Sequence, residues 1–339
     1  MFQPRYIITP KLLDRIKRIT LLIHDLNALH LSDVALAQMQ TEARVMSAYT
    51  STSIEGNPLP LTEVRRLLKN HPDQVRSSEL EVLNYNQALV ELSRNPPNRL
   101  DEETLLTIHR LVMEGLLPAH QNGRFRQESV VVHDPRSGEV VYLPPDWQDV
   151  PGLIASLLAF AAEQQGMLDA VILAGLFHKQ MVVIHPFVDG NGRTTRLATK
   201  LLLASMGLNT FNLFSFENYY NQNVTRYFQQ VGLMGSYDDL ADALDFTPWL
   251  EYFAEGVLDE LHRVAKEIQH SQAAPSTTLK PHHKQILAGI DEHGFITDRD
   301  YAQLTDRAKA TRTLDFNRLI EMGVIVRHGV GRAIYYKRT

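Results

Sequence analysis

Apolar side chains recur every three to four positions through most of this chain. In residues 11–30 they are Leu12, Leu13, Ile16, Ile19, Leu22, Ile23 and Leu26, one stripe of an amphipathic helix. Residues 36–49 continue with the same period. The run Ser51-Thr-Ser-Ile-Glu55-Gly-Asn57-Pro then ends a helix, because Gly, Asn and Pro in succession cannot extend one. A helix is expected to start near Leu61 with Thr62 as its cap, and another over 79–93, stopped by Asn95-Pro-Pro97. Residues 100–117, capped by Asp101, 150–164, 169–184, 197–206, 218–231 and 248–269 carry the same helical spacing.

Residues 123–145 break the pattern. Val130-Val-Val132 and Val140-Val-Tyr142 are β-branched or aromatic runs joined by a segment rich in Pro and Gly. They predict a hairpin, which needs the helices beside it to be stable. Residues 271–278 are small and polar and predict a linker. Beyond it come three short helices over 283–292, 298–304 and 308–322. Two β-branched or aromatic runs around a Gly329-Val-Gly331 turn follow. That order predicts a winged helix-turn-helix. The expected division is a helical region over 1–98, a core over 99–270, the linker, and the small module over 279–339.

Composition narrows the classes. Of 339 residues, none is cysteine, which removes disulfides and thiolate chemistry and suits a cytoplasmic protein. The N-terminus lacks the apolar core of a signal peptide, and every long apolar run is interrupted by polar residues, so no membrane partner is expected. From Thr277 on, 11 basic side chains face 7 acidic ones, a net of +4, which leaves −9 on the rest of a chain totalling −5. A basic module on an acidic body points to different partners for the two parts.

The densest chemistry lies at 185–196, His-Pro-Phe-Val-Asp-Gly-Asn-Gly-Arg-Thr-Thr-Arg, between two apolar helical runs. Gly190 and Gly192 permit backbone amides to converge into an anion nest, and a helix N-terminus follows at once. Arg193 and Arg196 are three apart, on one helix face, where two guanidiniums can embrace a polyphosphate. Asp189 offers the hard oxygen that Mg²⁺ takes beside phosphates. His185 is a side chain that titrates near neutrality and can accept a proton from a hydroxyl. Taken singly, each has an ordinary structural reading. Together they point to a nucleotide phosphate attacked by an activated hydroxyl. The P-loop pattern G-x-x-x-x-G-K-[ST] is absent.

The stretch resembles the Fic motif, H-x-F-x-[DE]-G-N-G-R-x-x-R, with every defined position filled. The resemblance implies an all-α Fic fold with a β-hairpin flap and transfer of AMP from ATP, with Mg²⁺, to a Ser, Thr or Tyr hydroxyl of a target protein. His185 would be the general base, Phe187 the loop's anchor and Asp189 the metal ligand. Gly190, Asn191 and Gly192 would form the anion hole, with Arg193, Thr194, Thr195 and Arg196 also on ATP. The hairpin at 130–142 falls where the family lays the target segment as an added strand. Tyr219, Tyr220 and Tyr227 fall where it has an aromatic adenine wall.

Ser51-x-x-x-Glu55-Gly56 similarly resembles the family's inhibitory motif, [ST]-x-x-x-E-[GN]. The resemblance implies that Glu55 pairs with Arg196 and takes the guanidinium that the terminal phosphate of ATP needs. Two alternatives stay open: removal of AMP from a modified target, with Glu55 orienting water, and a nucleotide-sensing DNA-binding regulator. For the latter, Lys309, Arg312 and Arg318 lie on the third helix of the C-terminal module, with Arg327, His328 and Arg332 at its wing. A DNA or protein partner there, and a homodimer, are both compatible with the sequence.

Overall fold

In a computed structural model the described residues are 2–29, 33–70, 72, 74–97, 99–133, 138–207, 213–273 and 279–338. They form two compact units, one of residues 1–28 with 44–263, the other of 29–43 with 264–339. Residues 274–278 of the expected linker and 134–137 of the expected hairpin turn lie outside the described residues.

The first unit is helical. It opens with α1 (Pro10–Ala28), the second half of α2 (Asp33–Ile54), α3 (Leu61–Asn70), α4 (Ser77–Arg94) and α5 (Glu102–Val112). The turn after α2 places Gly56 at φ 87°, a left-handed angle that glycine adopts without strain. Thr62 is not a cap, because α3 already begins at Leu61. Asp101 is one: its carboxylate accepts from Thr104 N at 2.9 Å. Next come β1 (Val132–His133) and β2 (Val140–Leu143), antiparallel, with Val132 opposite Tyr142.

Helices α6 (Val150–Gln164), α7 (Ala170–Ile184) and α8 (Asn191–Leu203) complete the framework of the 185–196 loop. α7 is almost wholly buried, its polar His178, Lys179 and Gln180 included. The expected single helix over 218–231 is two, α9 (Glu217–Asn221) and α10 (Val224–Val231). Asn223 separates them by accepting from Arg226 N and capping the second. β3 (Gly235–Ser236), unseen in the sequence pattern, pairs in parallel with β2 and makes the hairpin a three-stranded sheet. After the short α11 (Tyr237–Leu240), α12 (Thr247–Ala273) packs against α7. Trp249 Nε1 donates to Gly175 O at 2.8 Å, and a Cβ on Gly175 would lie 2.7 Å from Leu250 Cδ2. Only glycine allows that approach.

The second unit contains α13 (Pro281–His293), α14 (Asp298–Leu304), α15 (Lys309–Glu321), β4 (Ile325–His328) and β5 (Tyr335–Arg338). Ile286, Leu287, Ile290, Tyr301, Phe316, Leu319, Ile325 and Tyr336 are its buried core. Ile296 pairs with Tyr336 and joins the α13–α14 turn to the ribbon. Gln38 Nε2, on the first half of α2, donates to Met322 O at 2.8 Å. The basic side chains expected to face a partner are partly committed within the unit. Arg312 makes a two-bond pair with Asp298 at 2.8 and 3.0 Å, and Arg318 pairs with Glu321 at 3.1 Å. The side chain of Arg332 lies outside the described residues. His282, His283 and Asp315 converge, but Arg307 and the Tyr301 hydroxyl already bond both Asp315 oxygens.

Candidate active site

Two buried helices hold the polar loop by both ends. α7 stops because His185 turns left-handed at φ 51°, the sole positive φ at a non-glycine among the described residues. Such a conformation is costly for a side chain with a Cβ and persists only where its surroundings impose it. Those surroundings are specific. Arg126, buried, donates through Nε to His185 O at 2.9 Å and through Nη2 to Pro145 O at 2.6 Å. Its own N–H donates to Pro186 O. Phe187 is fully buried, with its ring stacked 3.8 Å from that of His109. The Asn191 side chain accepts from Phe187 N and donates to Phe187 O, closing the turn at 2.9 and 2.8 Å. Asn191 therefore staples the loop with its side chain rather than offering it to an anion.

Gly190 starts α8 at φ 77°, and a Cβ there would lie 2.6 Å from Met113 Sδ, so the position excludes any other residue twice over. His109 accepts from Gly123 N at Nδ1 (2.9 Å). Its Nε2 must then carry the hydrogen, which goes to Asp189 O at 3.0 Å. Burial pushes the His109 pKa down to about 4, which keeps this donor and acceptor pair fixed. Nothing in the sequence pattern marks His109 or Arg126. Neither lies in a motif, and both act through main-chain atoms of the loop.

The first intrahelical bond of α8 is Thr194 N to Gly190 O, so the amides of Asn191, Gly192 and Arg193 are free of helical partners. The Glu55 carboxylate occupies that end. A Cβ on Gly192 would lie 2.0 Å from Glu55 Oε1 and 2.9 Å from Arg196 Nη1. Arg196 is fully buried. It donates from Nε to Ser51 Oγ at 2.7 Å and from Nη2 to Ser51 O at 2.8 Å and Glu55 Oε1 at 2.7 Å. Burial is the largest single influence and lowers its pKa, but the charge and hydrogen bond of Glu55 together with Tyr227 and Tyr85 raise it on balance. Nη1 makes no hydrogen bond among the described residues. Arg193 is nearly as buried. It reaches Asp189 Oδ1 at 3.1 Å and Glu81 Oε2 at 3.8 Å, while its Nε and Nη1 make no hydrogen bond. The site thus collects two guanidiniums, a helix N-terminus and one carboxylate lodged among them.

Beside these charges, burial holds the His185 pKa down at about 4, against a smaller upward pull from Glu55. Its imidazole is neutral at physiological pH, and Nδ1 has no hydrogen-bond partner. A neutral imidazole keeps one nitrogen lone pair, which is what proton removal from a hydroxyl requires.

Residues 99–203 match the Fic/DOC family. That match takes in the 185–196 loop and helices α5 to α8. Over 280 residues it is 28% identical to the protein adenylyltransferase Fic of Culex quinquefasciatus, covering 80% of this chain and 51% of that protein. Over 192 residues it is 31% identical to that of Drosophila melanogaster, covering 54% and 37%. The chain thus spans about half the length, or less, of these relatives. In fold it is similar to a Fic family protein from Desulfovibrio desulfuricans G20, with TM-score 0.68 and 24% identity, over 100% of this chain and 98% of that one. Fic-1 (aa134–508) from C. elegans gives TM-score 0.60 and 22% identity, over 77% and 73%.

The remaining expected residues of the Fic site divide by burial. Asp189 is exposed, with its carboxylate beside Arg193. Thr194 and Thr195 are fully buried, so their side chains do not line an open surface. Tyr227 is 1% exposed and lies in an aromatic core with Tyr220 and Trp249, which corrects its expected place on an adenine wall. Tyr219 packs on α12 and donates its hydroxyl to Glu255 at 2.5 Å. Tyr220 and Tyr227 face the core from α9 and α10, whereas Tyr219 is half-buried.

Proposed function

We propose that this chain transfers AMP from ATP to a Ser, Thr or Tyr hydroxyl of a target protein, itself included, and that Glu55 restrains the reaction. The observation that carries the reading is the lodging of Glu55 at the α8 N-terminus against Arg196, beside a neutral His185. The adenylyltransferase names of the relatives support the same chemistry.

In the proposed reaction, His185 removes the proton of the attacking hydroxyl. The hydroxyl oxygen bonds to the α-phosphorus of ATP, the bond to the bridging oxygen breaks, and pyrophosphate leaves. The chain contributes charge and orientation rather than a covalent step. The free amides of Gly192 and Arg193 and the two guanidiniums answer phosphate charge. Glu55 puts a carboxylate where the terminal phosphate belongs, so ATP settles productively only when that carboxylate moves away. Asp189 fits a Mg²⁺ ligand: Mg²⁺ takes one or two carboxylates plus substrate phosphates, and this exposed carboxylate borders the nest. The ion would neutralise phosphate charge. β1 is an edge strand in the order β1-β2-β3, with Val131 and Val140 exposed, which suits addition of a target strand.

We assign residues 1–98 to a segment carrying the restraint, 99–270 to the catalytic core, 271–278 to a linker and 279–339 to a winged helix-turn-helix that engages a partner. Commitment of Arg312 and Arg318 to acidic neighbours in the same unit favours a protein partner there over DNA. The deciding experiment uses ATP labelled at either the α- or the γ-phosphate with target lysate. Label carried only from the α position supports adenylyl transfer. Label carried from the γ position would replace it with phosphorylation.

A further inference from the structure

The main-chain carbonyls around His185 are answered from the β1-β2-β3 sheet and its flanks. Tyr142, on the central strand β2, donates its hydroxyl to Val183 O at 2.9 Å. The Arg126 amide donates to Pro186 O and Arg126 Nε to His185 O, both at 2.9 Å. The same guanidinium donates from Nη1 to Glu128 O at 3.1 Å and from Nη2 to Pro145 O at 2.6 Å. Glu128 precedes β1 and Pro145 follows β2, so these two carbonyls are the feet of the hairpin. Arg126 is 2% exposed and Tyr142 3%.

A guanidinium is a rigid plane whose N–H groups point in fixed directions, so it fixes its acceptors relative to one another. Here the acceptors are the carbonyl of His185 itself and both feet of the hairpin. The hairpin needs such anchoring, because two short strands are marginally stable alone. The phosphate end of the loop is held separately, by Asn191 closing on Phe187 and by His109 on Asp189 O. The loop therefore has two sets of ties, one on the side of the anion nest and one to the sheet. A segment added to β1 sends alternate side chains to opposite faces, so a slip of one residue turns a hydroxyl away. Even in register, that hydroxyl must come within about 2.6–3.2 Å of the His185 ring to lose its proton. The ties to the sheet govern that separation.

We propose that Arg126 and Tyr142 are positioning residues for the target: they lock the sheet that receives the target segment onto the loop that carries His185. The attacking hydroxyl and the base then meet at a fixed separation. The inference rests on the reading of the chain as an adenylyltransferase whose target segment adds to β1. Both residues act through main-chain oxygens on the sheet side of the loop and leave the phosphate nest to its own ties. Arg126 binds three carbonyls in three places along the chain, so its removal loosens the loop and both feet at once. Tyr142 holds one, Val183 O, in the last turn of α7.

The test uses the full chain with Glu55→Gly as parent, so that the restraint is absent. It follows initial labelling of lysate protein and of the chain itself from ATP labelled at the α-phosphate. Binding of α,β-methylene-ATP, which cannot break at the bond that the reaction cleaves, reports the nucleotide site by affinity and by sites per chain. Adding Arg126→Lys keeps the charge but donates from a single atom, which cannot span three carbonyls. Adding Tyr142→Phe keeps the ring and removes the hydrogen that reaches Val183. A misplacement of about 1 Å costs about a hundredfold in rate, so Arg126→Lys should lower kcat by about that factor. Tyr142→Phe, which loses one neutral hydrogen bond, should lower it about fivefold. KM for ATP, analogue affinity and sites per chain should stay at parent values in both. Labelling at the parent rate in Arg126→Lys overturns the lock, and at the parent rate in Tyr142→Phe alone it overturns the part of Tyr142. A loss matched by fewer analogue sites per chain would make these residues supports of the fold and overturn the positioning role. Weaker analogue binding or a raised KM for ATP would place them in the nucleotide site and overturn it too. A parent that binds the analogue but transfers no α-label overturns the adenylyl-transfer reading itself, and the lock falls with it.

Discussion

Replacing Glu55 by Gln keeps the side chain's shape and removes its charge, which isolates the electrostatic part of the restraint. The Glu55–Arg196 contact is a charged hydrogen bond of 2.7 Å to a fully buried guanidinium, and the carboxylate is 29% exposed. Charged hydrogen bonds contribute about 1.5–3 kcal/mol net, neutral ones about 0.5–1.5 kcal/mol. Solvent at the exposed carboxylate favours the lower end of the first range. The Gln variant still offers an amide oxygen to Arg196, so the difference is about 1 kcal/mol. At about 1.4 kcal/mol per factor of ten, the population with Arg196 released rises about fivefold. The assay is the initial rate of self-labelling from ATP labelled at the α-phosphate, with ATP saturating, so that the change reads on kcat. Glu55→Gly, which removes both charge and acceptor, should exceed Glu55→Gln. A Glu55→Gln rate within twofold of the wild type beside a strongly raised Glu55→Gly rate would refute the electrostatic argument and leave a steric one.

Four other outcomes follow from the same contacts. Gly192→Ala would place a Cβ 2.0 Å from Glu55 Oε1, expelling the carboxylate but also filling the nest. It should lose transfer even with Glu55→Gly present, and labelling above the Glu55→Gly level would contradict the placement of phosphate there. Asn57 Nδ2 donates to Ser78 O and Glu81 Oε2 at 2.8 and 3.0 Å, tying the turn after Glu55 to α4. Asn57→Ala should raise wild-type labelling several-fold without affecting the Glu55→Gly chain. Gly175→Ala, meeting Leu250 and Phe253, should cost about 1–3 kcal/mol of stability, read as a lowered Tm. His109 and His185 are held at about 4 in the folded chain, below the ordinary value near 6.5. Their depressed values mean that the unfolded chain binds more protons between pH 6.5 and 4. Stability is therefore complete above 6.5 and falls as pH drops through that window, by about 1.4 kcal/mol per pH unit for each histidine. A flat Tm across the window would contradict the neutral assignment of both rings.

The loop's chemistry was legible because spacing alone puts Arg193 and Arg196 on one face, and because Gly190 sits at a positive φ that favours glycine whatever packs against it. The helices were legible from period, with boundaries moved where a cap intervened, as Asn223 does between α9 and α10. The positioning residues were not. Arg126 and His109 bond to carbonyls of the loop, and a main-chain acceptor leaves no mark on the partner's residue type. β3 is two residues long and pairs in parallel, so it has no alternating pattern to read. Tyr227 was misplaced because an aromatic at helical spacing has the same signature whether it stacks on a ligand or packs in a core. The His178 bond separates the two. The contact between Ser51, Glu55 and Arg196 joins positions about 145 apart, and only the motif resemblance linked them before the structure did.

The account centres on a neutral His185 that acts when Glu55 releases Arg196. The direct measurement is label transfer from ATP marked at the α-phosphate, in the full chain, with Mg²⁺, comparing the wild type, Glu55→Gly, and Glu55→Gly combined with His185→Ala. The account predicts weak labelling in the first and strong labelling in the second. In the third it predicts labelling near background, with ATP binding largely retained. Strong labelling in the third would remove His185 from the reaction, and labelling in the second no higher than in the first would remove Glu55 from its control.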